Sequence, residues 1–221
     1  MRHIRDIKAA IFDLDGTLLD SSPVWDGLGE RFLARRGISP KPGLNALLNL
    51  MTLPEGCDFL REEYRLPDSS SEIQSEICAI ISDFYRHECG LKPGAEQLLR
   101  ELHQRGISLS IATAGDKTLS QAALERLGIL GLFLGLLTCA EYGSKNRPDI
   151  FLKAAELCGQ PPEHTAVFED SLRAIITARS AGFLTAAVAD QSEPQQTELR
   201  LTAEYYRENP AGYLELFTGI G

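Results

Sequence analysis

The sequence predicts an α/β fold, a doubly wound parallel sheet with a helical domain inserted after its first strand. Short β-rich apolar runs alternate with helical patterns in the second half of the chain, and those helical patterns end at glycines. Residues 22–88 instead carry helical spacing with little β signal. We therefore expect an α/β core domain of residues 1–20 and 89–221 and a helical domain of residues 21–88.

The individual elements follow from hydrophobic periodicity and turn residues. Four strands are predicted in the core domain, at residues 9–12, 108–113, 165–168 and 183–189. Apolar residues with helical spacing predict core helices over 95–102, 119–127, 151–158 and 174–181. In the inserted domain, residues 28–34 and 73–85 are predicted helices, and residues 67–71 are predicted to form a turn.

Composition excludes several classes of partner. The 31 acidic residues outnumber the 22 Lys and Arg residues and give a net charge of −9, whereas nucleic acids and anionic membranes favour a basic surface. No apolar stretch is long enough for a membrane span. The five cysteines are odd in number and include no C-x-x-C, which indicates reduced packing thiols and a cytoplasmic protein.

Polar residues follow three of the four predicted strands, at the edge where ligands bind in open α/β sheets. They are Asp13 and Asp15 after the first strand, Thr113 at the end of the second, and Glu169 and Asp170 after the third. Two carboxylates that lie two residues apart repel each other unless a cation or a shared proton is present. The sequence thus predicts a ligand site at this edge, to which Lys145 offers a positive charge.

Each of these residues taken alone has an ordinary structural interpretation. An Asp before a helix, such as Asp170, is most often an N-cap. Thr113 alone would be a residue at a strand end, and Lys145 alone would be a solvated surface lysine. The combination and its order along the chain are what indicate a functional site.

Four segments in this order resemble the motifs of the haloacid dehalogenase superfamily of phosphotransferases. They are Phe12-Asp13-Leu14-Asp15-Gly16-Thr17-Leu18, Ile111-Ala112-Thr113-Ala114-Gly115, Lys145 with Asp149 four residues later, and Val167-Phe168-Glu169-Asp170-Ser171. The resemblance covers nearly the whole chain, and residues 21–88 lie where that family carries a helical cap. It therefore implies a Rossmann-like core with an inserted cap.

The resemblance also implies roles for individual residues. Asp13 is the expected nucleophile, which forms an aspartyl-phosphate, and Asp15 is the expected general acid and base. The expected ligands of Mg²⁺ are Asp13, the backbone carbonyl of Asp15, and Asp170, with Glu169 supporting them. Thr113, the amide of Ala114 and Lys145 are expected to bind the phosphoryl oxygens. The expected protein is a Mg²⁺-dependent phosphatase, a monomer or weak homodimer, that acts on a small-molecule phosphate monoester.

Within this family, reactions other than phosphate ester hydrolysis are alternatives. Asp15 argues against a dehalogenase, which needs no acid for its leaving group. A β-phosphoglucomutase-like mutase keeps both aspartates, but an ungapped count places Trp25 where that branch carries a histidine. A binding or regulatory homologue with weak catalysis also stays open, because Ala114 and Gly115 replace polar residues that are common in motif two.

The inserted domain does not identify a substrate. Trp25 is interpreted either as an apolar lid over the site or as a core residue of the first cap helix, with equal weight. The arginines of this domain are expected to lie mostly on solvated faces; they are Arg31, Arg35, Arg36, Arg61 and Arg65.

Overall fold

A computed structural model of the chain describes residues 3–218. The chain forms two compact units. One, which we call the core unit, combines the residues up to Asp20 with those from Cys89 onward, and the other, the helical unit, is Ser21–Glu88. Within residues 3–218, no helix has both the length and the apolar character that crossing a membrane requires.

The core unit is built on a sheet of six strands in which all neighbouring strands are parallel. The strands of the core unit are β1 (Ala9–Phe12), β2 (Leu19–Asp20), β3 (Gly90–Leu91), β4 (Ser108–Thr113), β5 (Leu136–Thr138), β6 (Thr165–Glu169), β7 (Leu184–Val188) and β8 (Tyr205–Arg207). The large sheet has the order β5-β4-β1-β6-β7-β8, and β2 and β3 form a separate antiparallel pair. The predicted doubly wound parallel sheet is confirmed.

Twelve α-helices are found among the described residues. In chain order they are α1 (Ser22–Asp26), α2 (Leu28–Arg35), α3 (Leu44–Leu48), α4 (Leu53–Glu63), α5 (Ser70–Asp83), α6 (Ala95–Gln104), α7 (Lys117–Arg126), α8 (Cys139–Tyr142), α9 (Asp149–Leu157), α10 (Leu172–Ser180), α11 (Gln196–Thr202) and α12 (Ala211–Thr218). The first five form the helical unit, and α5 continues into a π-helical turn at Phe84–Glu88.

The central strands are buried on both faces because helices cover both sides of the sheet. Successive side chains of a strand point to opposite faces. Ile11 accordingly packs in a cluster with residues of α9 and α10. Its neighbour Phe12 stacks on Phe168 with ring centroids 4.4 Å apart, and Phe168 contacts Tyr213 of α12 on that other face.

Two strands of this sheet were not predicted from the sequence. β5 and β8 have only three residues each, which is too short for a recognisable alternation of apolar and polar side chains. They form because a partner strand is already in place: β5 pairs with β4, and β8 pairs with β7. The remaining four strands are found within one or two residues of their predicted limits.

Two helices of the helical unit begin with capping boxes. The backbone N–H of Thr52 donates to Glu55 Oε2 at 2.7 Å at the start of α4. Ser69 makes the same reciprocal contacts with Glu72 at the start of α5. The prediction of a turn over 67–71 is therefore wrong at its end, because this capping box lets the helix begin at Ser70.

Three further expectations for the helical unit need correction. Arg36 is not on a solvated face: its side chain is 20% exposed and pairs with Asp68 at 2.5 Å and with Glu76. Trp25 is not a core residue, since 48% of it is exposed. Cys78 is exposed rather than packed, whereas the buried cysteines are Cys57, Cys89 and Cys158.

Candidate active site

The carboxyl ends of three adjacent strands bring the predicted site residues together. β1 lies between β4 and β6, so the chain changes direction across the sheet at β1 and leaves a crevice at this edge. Asp13 directly follows β1, Thr113 ends β4 and Glu169 ends β6. The backbone N–H of Asp13 donates to the Phe168 carbonyl at 3.0 Å, which holds the first of these residues beside β6.

Three carboxylates form a compact buried cluster. One oxygen from each of Asp13, Glu169 and Asp170 can be chosen so that all three atoms lie within 4.8 Å of one another. None of the three residues is more than 8% exposed. Charges of the same sign this close together require compensation by a cation or by protonation.

Lys145 supplies part of that compensation. Its ammonium donates to Glu169 Oε1 at 2.7 Å and also to Asp13 Oδ1. The side chain is only 12% exposed, so its interpretation as a solvated surface lysine is wrong. Lys145 lies on the segment between α8 and α9. The residues that it contacts are more than twenty positions away in the sequence, so no local pattern indicates these contacts.

The ionisation of the cluster reflects burial and neighbouring charges. Burial raises the pKa of Asp13 to about 7; Lys145 opposes this rise, and Glu169 and Asp15 add to it. Burial, together with the charges of Glu169 and Asp13, also raises the pKa of Asp170. Burial by itself would lower the pKa of Lys145, but the charges of Asp13 and Glu169 outweigh it and raise that pKa. Lys145 therefore stays protonated, whereas burial and mutual repulsion disfavour the ionised forms of Asp13 and Asp170.

Asp15 lies on a tight turn that follows Asp13. The Leu14 carbonyl accepts hydrogen bonds from the backbone N–H groups of Leu18 and Leu19 at 2.9 and 2.8 Å, which closes the turn. Gly16 has φ +81°, and a β-carbon there would overlap Asp170 Oδ2. Only glycine allows both this conformation and this close approach.

Gly115 lies close to both Asp15 and Thr113. A β-carbon at Gly115 would lie 3.2 Å from Asp15 Oδ2 and 3.3 Å from Thr113 Oγ1. The backbone N–H of Gly115 donates to Thr113 Oγ1 at 2.9 Å. Directly after this loop, Asp116 caps α7 by accepting from the Leu119 N–H at 2.9 Å. The departure from the usual motif-two residues thus leaves space next to the Asp15 carboxylate.

All the residues singled out for the site line one open pocket of about 490 Å³ in the core unit. These residues are Asp13, Asp15, Thr113, Ala114, Lys145, Glu169 and Asp170. The same pocket is also lined by Cys139, Ser144 and Arg173, which were not predicted as site residues. No local pattern marks them, because they come from separate parts of the chain: the first turns of α8 and α10 and the segment between α8 and α9.

The interpretation of Asp170 as an N-cap is wrong. The N–H of Leu172, the first residue of α10, donates instead to Glu193 Oε2 at 2.9 Å. Glu169 Oε2 accepts from the backbone N–H groups of Asp170 and Ser171 at 3.1 and 3.0 Å. Asp170 instead accepts a hydrogen bond from Thr17 Oγ1 at 3.3 Å, so its carboxylate faces the turn after β1.

A second buried ion pair borders the site and was not predicted. Lys92 Nζ lies 2.6 Å from Asp190 Oδ2, and the two side chains are 10% and 5% exposed. Burial would raise the pKa of Asp190, but hydrogen bonds from Lys92 and Ser192 outweigh it and lower that pKa. Asp190 is therefore ionised at neutral pH.

Two curated relatives match most of the chain. A Drosophila melanogaster protein named "Probable pseudouridine-5'-phosphatase" is 31% identical over 201 residues, which cover 87% of this chain and 86% of the relative. Hexitol phosphatase A of Escherichia coli K12 is 27% identical over 204 residues, covering 88% and 89% of the two chains.

Solved structures share the fold of the chain. The crystal structure of a β-phosphoglucomutase from Clostridium difficile superposes with a TM-score of 0.64 at 20% identity, covering 96% of this chain and 98% of that one. At this identity the likeness shows the fold alone. The family model of the haloacid dehalogenase-like hydrolases matches residues 7–182, which include the whole acidic cluster and Lys145. The chain is a member of the haloacid dehalogenase-like hydrolase family.

Proposed function

We propose that the protein is a Mg²⁺-dependent phosphatase that hydrolyses a small phosphorylated metabolite through an aspartyl-phosphate on Asp13. The observation that carries this proposal is the buried cluster of Asp13, Glu169 and Asp170 with Lys145 donating to two of its members. A carboxylate nucleophile, a cation and a hydroxyl at neighbouring strand ends are suited to phosphoryl transfer.

The donor set fits Mg²⁺. All its side-chain donors are carboxylate oxygens, which hard divalent cations prefer. Burial and the neighbouring carboxylates raise the pKa values of Asp13 and Asp170, so a cation in addition to Lys145 would favour their ionised forms. Asp13, Asp170 and the backbone carbonyl of Asp15 would hold the ion. When bound, the ion would neutralise charge between the carboxylates and the phosphate dianion.

The covalent chemistry is assigned to Asp13 and Asp15. A carboxylate oxygen of Asp13 forms a bond to phosphorus as the ester P–O bond breaks, and Asp15 gives its proton to the leaving oxygen. In the second step, water attacks phosphorus and passes a proton to Asp15, while the bond to Asp13 breaks and inorganic phosphate leaves. Asp15 ends the cycle protonated, as it began.

Three groups are proposed to hold the phosphoryl oxygens. They are the Thr113 hydroxyl, the Ala114 backbone amide and the Lys145 ammonium, which line the same pocket as Asp13. Because the Lys145 ammonium contacts Asp13, it lies close to where a phosphoryl group attacked by Asp13 would bind. Each donor aimed at charge that develops in the transition state contributes roughly 10²–10³-fold to the rate.

The names of the relatives favour a phosphorylated sugar, sugar alcohol or nucleoside as the substrate class. The mutase alternative has less support. No histidine occurs between His3 and His87, and the position counted for the mutase histidine holds Trp25. In this structure Trp25 is half-exposed and borders an apolar pocket within the helical unit, together with Leu48 and Leu60.

The proposal is tested by measuring phosphate release from a panel of sugar phosphates, sugar-alcohol phosphates and nucleoside monophosphates with Mg²⁺ and then with EDTA. Wild-type protein should release phosphate only with the metal, and Asp13→Asn should be inactive. Asp6→Asn, which changes an exposed aspartate near β1, is the matched control and should keep full activity.

Two results would contradict the proposal. Substantial turnover by Asp13→Asn would exclude the covalent role of Asp13. Conversion of β-glucose 1-phosphate to glucose 6-phosphate, with a trace of the bisphosphate, faster than phosphate release from any tested monoester would establish the mutase instead.

A further inference from the structure

We propose that the buried ion pair of Lys92 and Asp190 is a positioning device for Asp15, because it supports the turn on which Asp15 lies. The proposal rests on the general-acid role of Asp15 given above. It concerns residues that lie outside the four motifs, and both belong to the core unit.

Lys92 ties the turn to the end of β7 through two parts of the residue. Its backbone N–H donates to the Leu18 carbonyl at 2.8 Å, just after the turn. Its ammonium donates to the Ala189 carbonyl at 2.8 Å and pairs with Asp190 at 2.6 Å. One residue therefore connects the chain after Asp15 with the loop that follows β7.

Asp190 forms one wall of the space in which Gly16 lies. The Cγ atoms of Asp170 and Asp190 would be 2.9 and 3.1 Å from a β-carbon at Gly16. Asp190 is fixed at this wall because Ser192 donates to its Oδ1 from both the backbone N–H, at 3.0 Å, and the hydroxyl, at 2.7 Å. The position of Gly16, and with it that of the adjacent Asp15, depends on where this carboxylate lies.

The charges of Lys92 and Asp190 also help to hold the turn in place. Asp190 adds a fourth buried carboxylate beside Asp13, Glu169 and Asp170, and Lys92 neutralises it at contact distance. Without Lys92, the uncompensated carboxylate of Asp190 would repel Asp170 and shift the wall against which Gly16 packs. A displacement of about 1 Å in a catalytic group can reduce a rate roughly 10²-fold.

The test compares two substrates that differ in their need for an acid. Phenyl phosphate and p-nitrophenyl phosphate have the same ring, but the nitrophenolate leaves without a proton far more readily. The kcat/KM value reports only the steps through the transfer to Asp13, so water activation in the second step does not enter. Asp15→Asn should lower kcat/KM for phenyl phosphate by about 10²-fold or more and affect p-nitrophenyl phosphate much less.

Lys92→Met should show the same selectivity to a smaller degree. We expect kcat/KM to fall about tenfold or more for phenyl phosphate and less than about threefold for p-nitrophenyl phosphate. Lys92→Met/Asp190→Asn should recover part of the loss, because it removes the uncompensated charge. Arg105→Met, which breaks a partly exposed pair with Glu101 on α6, is the control and should leave both values unchanged.

The outcomes separate this inference from the proposed function. If Asp15→Asn shows no selectivity between the substrates, the acid role of Asp15 fails and the inference fails with it. If Asp15→Asn is selective but Lys92→Met lowers both values equally or neither, the pair is only structural. If Lys92→Met does not fold, the same comparison of the two substrates can be made with Asp190→Asn, which keeps the size of the side chain.

Discussion

The ammonium of Lys145 lies 2.7 Å from Glu169 Oε1, although α9 and nearly all of β6 separate the two residues along the chain. Lys145 also donates to Asp13, so a single cation contacts two of the three clustered carboxylates. Removing it would leave those carboxylates without their buried partner. We therefore expect Lys145 to affect both the stability and the activity of the core unit.

Lys145→Met should lower the free energy of unfolding by about 3–5 kcal/mol, because it leaves buried charge uncompensated. It should also lower kcat/KM for phosphate release by about 10²–10³-fold, because a donor to the phosphoryl group is lost. Adding Glu169→Gln should restore much of the stability without restoring activity. Urea unfolding and phosphate-release assays measure the two effects, and Lys153→Met, at an exposed pair, is the control. Full activity of Lys145→Met would contradict its assigned role.

The stability of the metal-free protein should depend on pH through Asp13. Burial raises the pKa of Asp13 to about 7, so the folded protein binds this proton more tightly than the unfolded chain does. The resulting contribution to stability is complete at low pH and is lost as the pH rises through about 7. In EDTA, raising the pH from about 5.5 to 8 should therefore lower the Tm of wild type by more than it lowers the Tm of Asp13→Asn.

Added Mg²⁺ should raise the wild-type Tm more at the higher of these two pH values, because binding requires the Asp13 carboxylate to lose its proton. Asp13→Asn should show a smaller rise at both values. An equal Mg²⁺ effect in the two proteins would show that the ion does not bind at this cluster.

Gly16→Ala should abolish activity, whereas Gly128→Ala should not. Both glycines have positive φ, +81° and +70°, so alanine strains the backbone by roughly 1–2 kcal/mol at either position. A β-carbon at Gly128 meets nothing within 4 Å, but at Gly16 it would displace the carboxylate of Asp170. Thermal unfolding measures the shared strain, and phosphate release measures the effect specific to Gly16. Equal activity of the two variants would contradict the close packing of Gly16 against Asp170.

Gly115→Ala should reduce kcat/KM by about tenfold with little loss of stability, because its β-carbon would crowd the Asp15 carboxylate. Gly131→Ala, where a β-carbon has free space, is the control. Both variants can be compared by steady-state kinetics and thermal unfolding. Unchanged kinetics of Gly115→Ala would mean that Asp15 does not need this space.

Cys78 should react with a thiol reagent before the buried cysteines do. It is exposed, whereas burial raises the pKa of Cys89 to about 12, which keeps that thiol protonated and unreactive. Time-resolved titration of native protein with Ellman's reagent should show a fast thiol that is lost in Cys78→Ser. A fast phase that survives in that variant would place an accessible thiol elsewhere.

The sequence was most informative where local pattern and chemistry coincide. Residues 9–12 form a continuous apolar run, which is typical of a strand covered on both faces, and residues 108–113 form a short β-rich run. Because parallel strands end at one edge, the polar residues that follow them could be grouped into a site before any distance was known. This is why Asp13, Thr113 and Asp170 could be named as candidates from their positions in the chain.

By itself, therefore, the sequence determined the α/β class, the main strands and the residue types gathered at the strand ends. Only the tertiary structure decided that Lys145 contacts Asp13 and Glu169, that Lys92 pairs with Asp190, and that Trp25 is half-exposed. A helix or strand repeats over neighbouring residues and leaves a periodic pattern, but an ion pair joins two single positions far apart in the chain. Its partners are brought together by packing of the whole sheet, so no local sequence pattern predicts them.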